Sequence, residues 1–116
     1  MKFMLLIYGD EQAAVQANAE QTQQVSDAYD QFTQSIVKSG NFLDGDPFMP
    51  TSTAKSVRVT GGRTETTDGP TVRTEPQLVA YYKVKADSLG QAIDFASRVP
   101  GAQWGSIEVR PVVEFD

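Results

Sequence analysis

Lys2-Phe3-Met4-Leu5-Leu6-Ile7-Tyr8-Gly9-Asp10 decides how this chain folds. Alternation puts Phe3, Leu5 and Ile7 on one side of a strand and Met4, Leu6 and Tyr8 on the other, and both sets are apolar. Such a run suits a central strand covered on both faces. Gly9 and Asp10 end it, because glycine and aspartate are poor strand formers and good turn residues.

The next long segment reads as a helix. Asn18 is a good N-cap, with Gln21 where a capping box needs its partner, and Val25, Tyr29, Phe32 and Ile36 form one apolar stripe. Gly40 stops the helix and Lys38 sits in its last turn, so residues 19–39 form a rod about 30 Å long at ~1.5 Å per residue. Residues 11–17 read either as a loop or as a helical extension, and Asn41–Pro50 as turn and short extended chain.

Lys55–Thr60 alternates, with Val57 and Val59 on one side and Ser56, Arg58 and Thr60 on the other. Gly61-Gly62 turns it into Arg63–Thr67 as a two-residue hairpin, since both central positions of such a turn want positive φ. Leu78–Val84 is a further strand apolar at both parities. Ser88 with Gln91 starts a second helix, whose stripe reads Leu89, Ala92, Ile93, Ala96 and Val99 before Pro100-Gly101. Ser106–Val113 is the last strand, with Ile107 and Val109 set against Glu108 and Arg110.

Two helices cover only one face of such a sheet. Two strands are nonetheless apolar on both faces, so something else must shelter the second face. A second copy of the chain is the simplest candidate, and a homodimer is expected.

At 116 residues, with no linker or repeat, the chain fits a single domain over residues 1–116. Its net charge is −5, and the 10 Lys and Arg residues form no basic stripe, which argues against a nucleic-acid partner. With no Cys and no His, disulfides, zinc fingers, iron–sulfur sites and Cys- or His-based nucleophile systems are excluded. Asp44-Gly45-Asp46 lacks the remaining oxygen ligands of a calcium loop and reads as a surface turn. No phosphate-binding glycine loop or dinucleotide fingerprint occurs, and no metal or cofactor is expected. The apolar run at the start is too short to span a membrane, and Gly9-Asp10-Glu11-Gln12 breaks a secretory signal pattern, so an unprocessed cytoplasmic protein with no membrane partner is expected.

Three groups of residues could carry chemistry. Asp68, in Thr66-Thr67-Asp68-Gly69-Pro70-Thr71, is the candidate catalytic residue: a carboxylate on a shaped turn can act as acid, base or ligand acceptor. The same aspartate can simply shape the loop by accepting backbone hydrogen bonds, which is the commoner use. Arg58, Glu108 and Arg110 share one side of their strands if the neighbouring valines and Ile107 face the core. Arginine there could grip a small anionic molecule in bidentate fashion, with Glu108 orienting it, or the three could form a structural ion network. Tyr8, Tyr81, Tyr82 and Trp104 could line a pocket, or serve as core and interface aromatics.

Taken in order, Met1–Glu11, Val57-Arg58-Val59, Thr67-Asp68-Gly69-Pro70, Tyr81-Tyr82 and Gly105–Val112 resemble the YCII-related (DGPF-domain) family along nearly the whole chain. The resemblance implies an α+β protomer, a ferredoxin-like two-layer sandwich with an extra β-hairpin, that forms a dimeric α+β barrel. Most members of that family have no established reaction. The chain also departs from the family. Trp104 stands where relatives often carry His, and an indole cannot exchange protons near neutral pH. The loop reads Asp68-Gly69-Pro70-Thr71-Val72-Arg73-Thr74-Glu75 where relatives commonly have D-G-P-F-A-E-T-K, and Val79-Ala80 replaces a Gly-Gly pair.

The expected function is a homodimeric small-molecule-binding protein with a cleft near the Asp68-Gly69-Pro70 loop, lined by Tyr8, Arg58, Asp68, Tyr82, Glu108 and Arg110. The alternatives are a regulatory accessory of the kind the resemblance associates with sigma factors, and an enzyme using carboxylate and tyrosine groups. The last rests on fold analogy, and fold does not imply function.

Overall fold

A computed structural model describes residues 1–115. The elements run β1 (Lys2–Gly9), α1 (Glu11–Gln16), α2 (Ala19–Lys38), β2 (Phe42–Pro47), β3 (Lys55–Thr60), β4 (Arg63–Asp68), β5 (Gln77–Lys85), α3 (Leu89–Arg98) and β6 (Ser106–Pro111), with short 3-10 turns at Thr51–Thr53 and Pro100–Gln103. Four strands form an antiparallel sheet in the order β2-β5-β1-β6, and β3 and β4 form a separate two-stranded sheet. The protomer is α+β, and its main sheet is consistent with the ferredoxin-like arrangement. That sheet is open and is not closed into a barrel.

β1 lies in the middle of the sheet, as its two apolar faces predict. Phe3, Leu5 and Ile7 are buried, and with Tyr82 and Val84 of β5 they pack under Phe32 and Ile36 of α2 and Ala92, Phe95 and Ala96 of α3. The capping box forms as read. Asn18 Oδ1 accepts from the Gln21 amide at 2.8 Å, and the Gln21 side chain accepts from the Asn18 amide at 3.0 Å. The stripe of α2 is buried only in its second half, at Phe32 and Ile36, whereas Val25 is exposed.

Three readings are corrected. Asp44-Gly45-Asp46 is not a surface turn but lies within the edge strand Phe42–Pro47, where Asp44, Gly45 and Asp46 pair with Lys83, Tyr82 and Tyr81. Asp, Gly and Pro are depleted in strands, yet an edge tolerates them because one side of its backbone needs no partner. On α3 the buried stripe is Ala92, Phe95, Ala96 and then Val99, whereas Leu89 and Ile93 face solvent. A rotation of one residue separates the two readings, and Phe95 supplies the larger buried ring. Finally, Val57 and Val59 do not face the core. The hairpin stands apart from the main sheet, and each valine is about two-thirds exposed, at 66% and 65%.

That hairpin is an arm. Gly61 and Gly62 take φ of 55° and 78°, the two positive values that a tight two-residue turn demands, and place Thr60 opposite Arg63. Its strands make their substantial contacts only with each other.

Candidate functional site

The face of the main sheet that the helices do not cover is the candidate site. Register fixes its residues. Met4 lies between Lys83 and Arg110, Leu6 between Tyr81 and Glu108, and Tyr8 between Leu78 and Ser106. Asp44 and Asp46 extend the first two rows onto edge strand β2. A partly exposed apolar stripe of Met4, Leu6 and Tyr8 thus runs down the middle, with polar groups on either side.

The polar groups are already paired. Arg110 Nη2 meets Glu108 Oε2 at 2.5 Å, and both side chains remain substantially exposed. The Tyr81 hydroxyl donates to Asp44 at 2.8 Å and stands 3.5 Å from Asp46. The hydrogen bond to Asp44 raises the Tyr81 pKa above its usual value, with the nearby carboxylate charges acting in the same direction. The Tyr81 ring also stacks on Phe48, with centroids 5.7 Å apart.

The residues singled out by sequence divide into three places. Tyr8, Glu108 and Arg110 share the open face. Tyr82 lies on the opposite face, in the core. Its hydroxyl shares a 2.6 Å hydrogen bond with Thr33, and its ring meets Phe32 and Phe42 edge-on. Burial is the main reason its pKa is raised. Arg58 and Asp68 belong to the arm, on opposite faces of it: Arg58 sits across from Glu65, and Asp68 across from Lys55 beside the valines.

Asp68 is exposed and forms an ion pair with Lys55 Nζ at 2.5 Å. Around it the loop is held by its own backbone. The Gly69 amide donates to Ala54 O at 2.8 Å, Ser56 Oγ donates to Gly69 O at 2.8 Å, and Arg73 Nη2 donates to Asp68 O at 2.5 Å. Gly69 has φ of 98°, and a side chain there would collide with the Arg73 guanidinium. The D-G-P sequence therefore shapes the base of the arm. Glu11 secures the other side of that base, accepting from the Thr51 amide at 2.8 Å and from its hydroxyl at 2.5 Å.

Two open concavities lie elsewhere. One of about 230 Å3 adjoins the loop and is lined by Thr51, Pro70, Arg73, Glu75 and Gln77. Another of about 400 Å3 runs between α2 and the turn after α3, beside Phe32, Arg98 and the exposed Trp104. Neither is lined by Met4, Leu6, Tyr8, Tyr81, Glu108 or Arg110. Among the described residues no cluster of carboxylates could hold a metal ion, and no helix is long and apolar enough to cross a membrane.

In sequence Asp44 and Asp46 read as a turn, and the structure places them on a strand. Their i, i+2 spacing was the available signal, because in a strand it puts both carboxylates on one face.

Comparison with known proteins supports one grouping. The YCII-related domain profile matches residues 1–116. A protein of Rhizobium meliloti (strain 1021), described as uncharacterized, is 31% identical over 114 residues, spanning 97% of this chain and 92% of that protein.

Proposed function

The chain belongs to the YCII-related domain family, and we propose that it works as a homodimer whose open sheet faces meet and enclose a small-molecule site. One observation carries this reading: the sheet has helices on one side only, while Met4, Leu6, Tyr8 and Tyr81 occupy the other. Apolar surface on a sheet face is stabilised by removal from water, at about 25 cal/mol per Å2. Phe48 stacks on Tyr81 toward the β2 edge, and no helix or strand of the described protomer covers the rest. Association in a two-fold pair covers both faces at once.

The enclosed space has a definite chemistry. Tyrosine and aliphatic side chains give it an apolar floor, and the Glu108–Arg110 pair gives it a polar wall. A small molecule with an apolar body and an anionic group fits this lining. Arg110 would receive the anion in bidentate fashion, and Glu108 would hold the guanidinium in place.

Sedimentation equilibrium through the micromolar range, followed by thermal-shift measurements with a panel of aromatic and aliphatic carboxylates, tests the reading. We expect a dimer, and a carboxylate-induced shift that Arg110→Gln abolishes while the dimer persists. A stably folded single protomer at micromolar concentration would overturn it.

A further inference from the structure

We infer that the β3–β4 arm is an intersubunit clasp, whose Val57/Val59 face lies on a second copy of the chain and walls the site over that partner's sheet. The inference rests on the dimer reading above and adds to it the element that completes the site.

Three observations lead there. First, the arm has two unlike faces. Val57 and Val59 lie with Thr64 and Thr66 on one, with the Lys55–Asp68 pair at its base end, and Arg58 lies with Thr60, Arg63 and Glu65 on the other. Val57 and Val59 form an adjacent apolar pair toward the middle of that face, and both are among the exposed large hydrophobics, so the pair gains nothing from burial in its own protomer. Second, the arm gains almost nothing from its own protomer. Its strands pack on each other, and it is tied down only at its base through Ala54, Ser56 and Gly69. A lone two-stranded hairpin is marginal in water, so a regular arm implies a surface to lie on.

The third observation is one of area. With strands ~4.8 Å apart and ~3.3 Å of rise per residue, the open face of four strands presents about 400 Å2. A stable interface needs roughly 800 Å2 from each partner. Sheet against sheet therefore supplies about half. The arm, two strands wide and six residues long, offers about 200 Å2 on its valine face by the same measure. In a two-fold dimer each protomer both gives an arm and receives one, which brings the contact to the required size.

The consequence for the site is specific. The Lys55–Asp68 pair lies on the same face of the arm as Val57 and Val59. Seating the valines on the partner turns this pair toward the partner's open sheet, where Glu108 and Arg110 stand. Each site is then built from one protomer's sheet and the other's arm, and it is incomplete in a single chain.

A double variant, Val57→Glu with Val59→Glu, tests this. Both side chains are exposed in the protomer, so its circular dichroism spectrum should match the unaltered chain. We expect its dimer dissociation constant to rise by roughly tenfold or more, from lost apolar burial and from carboxylates forced out of water. Amide hydrogen exchange gives a second readout: exchange across residues 57–65 should slow as protein concentration rises through the dissociation constant. If the unaltered chain dimerises while the double variant dimerises equally well and the arm exchanges at a concentration-independent rate, the clasp is wrong and the facing sheets stand. If the unaltered chain is monomeric, both readings fall.

Discussion

Gly105 immediately precedes β6 and lies against the end of β1, where a Cβ would meet the Tyr8 carbonyl oxygen well inside contact distance. Backbone cannot step aside as a flexible side chain can. Gly105→Ala should therefore cost about 2–4 kcal/mol, read as a lowered urea midpoint, and a loss under about 0.5 kcal/mol would show that β6 shifts freely. Tyr82 offers a pH-dependent test. Burial raises its pKa, with the Thr33 hydrogen bond opposing and the Asp30 charge adding a further increase. A tyrosine whose folded pKa exceeds its unfolded value of about 10 contributes stability that is fully present below that pH. The contribution is lost as pH rises through the higher folded value. Tyr82→Phe should cost about 1 kcal/mol near neutrality, for the lost hydrogen bond, and its stability should fall less steeply than that of the unaltered chain above about pH 10. Parallel urea titrations across that range decide it; equal slopes would mean that Tyr82 ionises as it does in the unfolded chain. Only part of this was legible in the sequence. Leu78–Val84 is apolar at both parities, so nothing in the pattern says which of Tyr81 and Tyr82 faces the helices. The partner strand's register decides, by setting Leu5 opposite Tyr82 and Leu6 opposite Tyr81.

At the scale of elements, local signals with a stereochemical cause were the readable ones. Asn18 with Gln21 and the glycine pair of the hairpin each specify their own geometry, and each forms as expected. Signals that depend on distant packing were not readable. In α3 both Leu89–Ile93 and Phe95–Val99 lie at helical spacings, and only the placement of β1 and α2 selects the second. The choice has measurable weight. Phe95→Ala should lose about 3–5 kcal/mol, as removal of a buried ring does, whereas Ile93→Ala should change stability by less than about 1 kcal/mol. Denaturant unfolding of the two variants side by side would reverse the assignment if Ile93→Ala proved the costlier. Strand β2 is hidden in the sequence for the opposite reason. Its Asp44-Gly45-Asp46 composition argues against a strand, and only pairing with β5 makes it one. There Gly45 is required by space: a Cβ would lie 2.7 Å from the buried Tyr82 ring.

The protomer is broad and flat. Its radius of gyration is 16.2 Å, and its extents are 47 × 47 × 18 Å. A compact domain of this length would have a radius near 13 Å. The excess reflects an arm and a long helix reaching past a sheet with one bare face, a plan that leaves apolar surface in water unless a second molecule arrives. Leu6 marks the middle of that face, between Tyr81 and Glu108. In a lone protomer the end of a lysine at this position would reach solvent, so Leu6→Lys should leave the fold intact. In a dimer of facing sheets the same ammonium would be driven into an apolar layer, a cost of several kcal/mol. The unaltered chain should melt at a temperature that climbs with protein concentration, because association stabilises the folded state by mass action. Leu6→Lys should melt at one temperature regardless of concentration and sediment as a single protomer. A Leu6→Lys protein that still dimerises, with the same concentration dependence as the unaltered chain, would place the contact on another surface and leave Tyr8, Glu108 and Arg110 open to water.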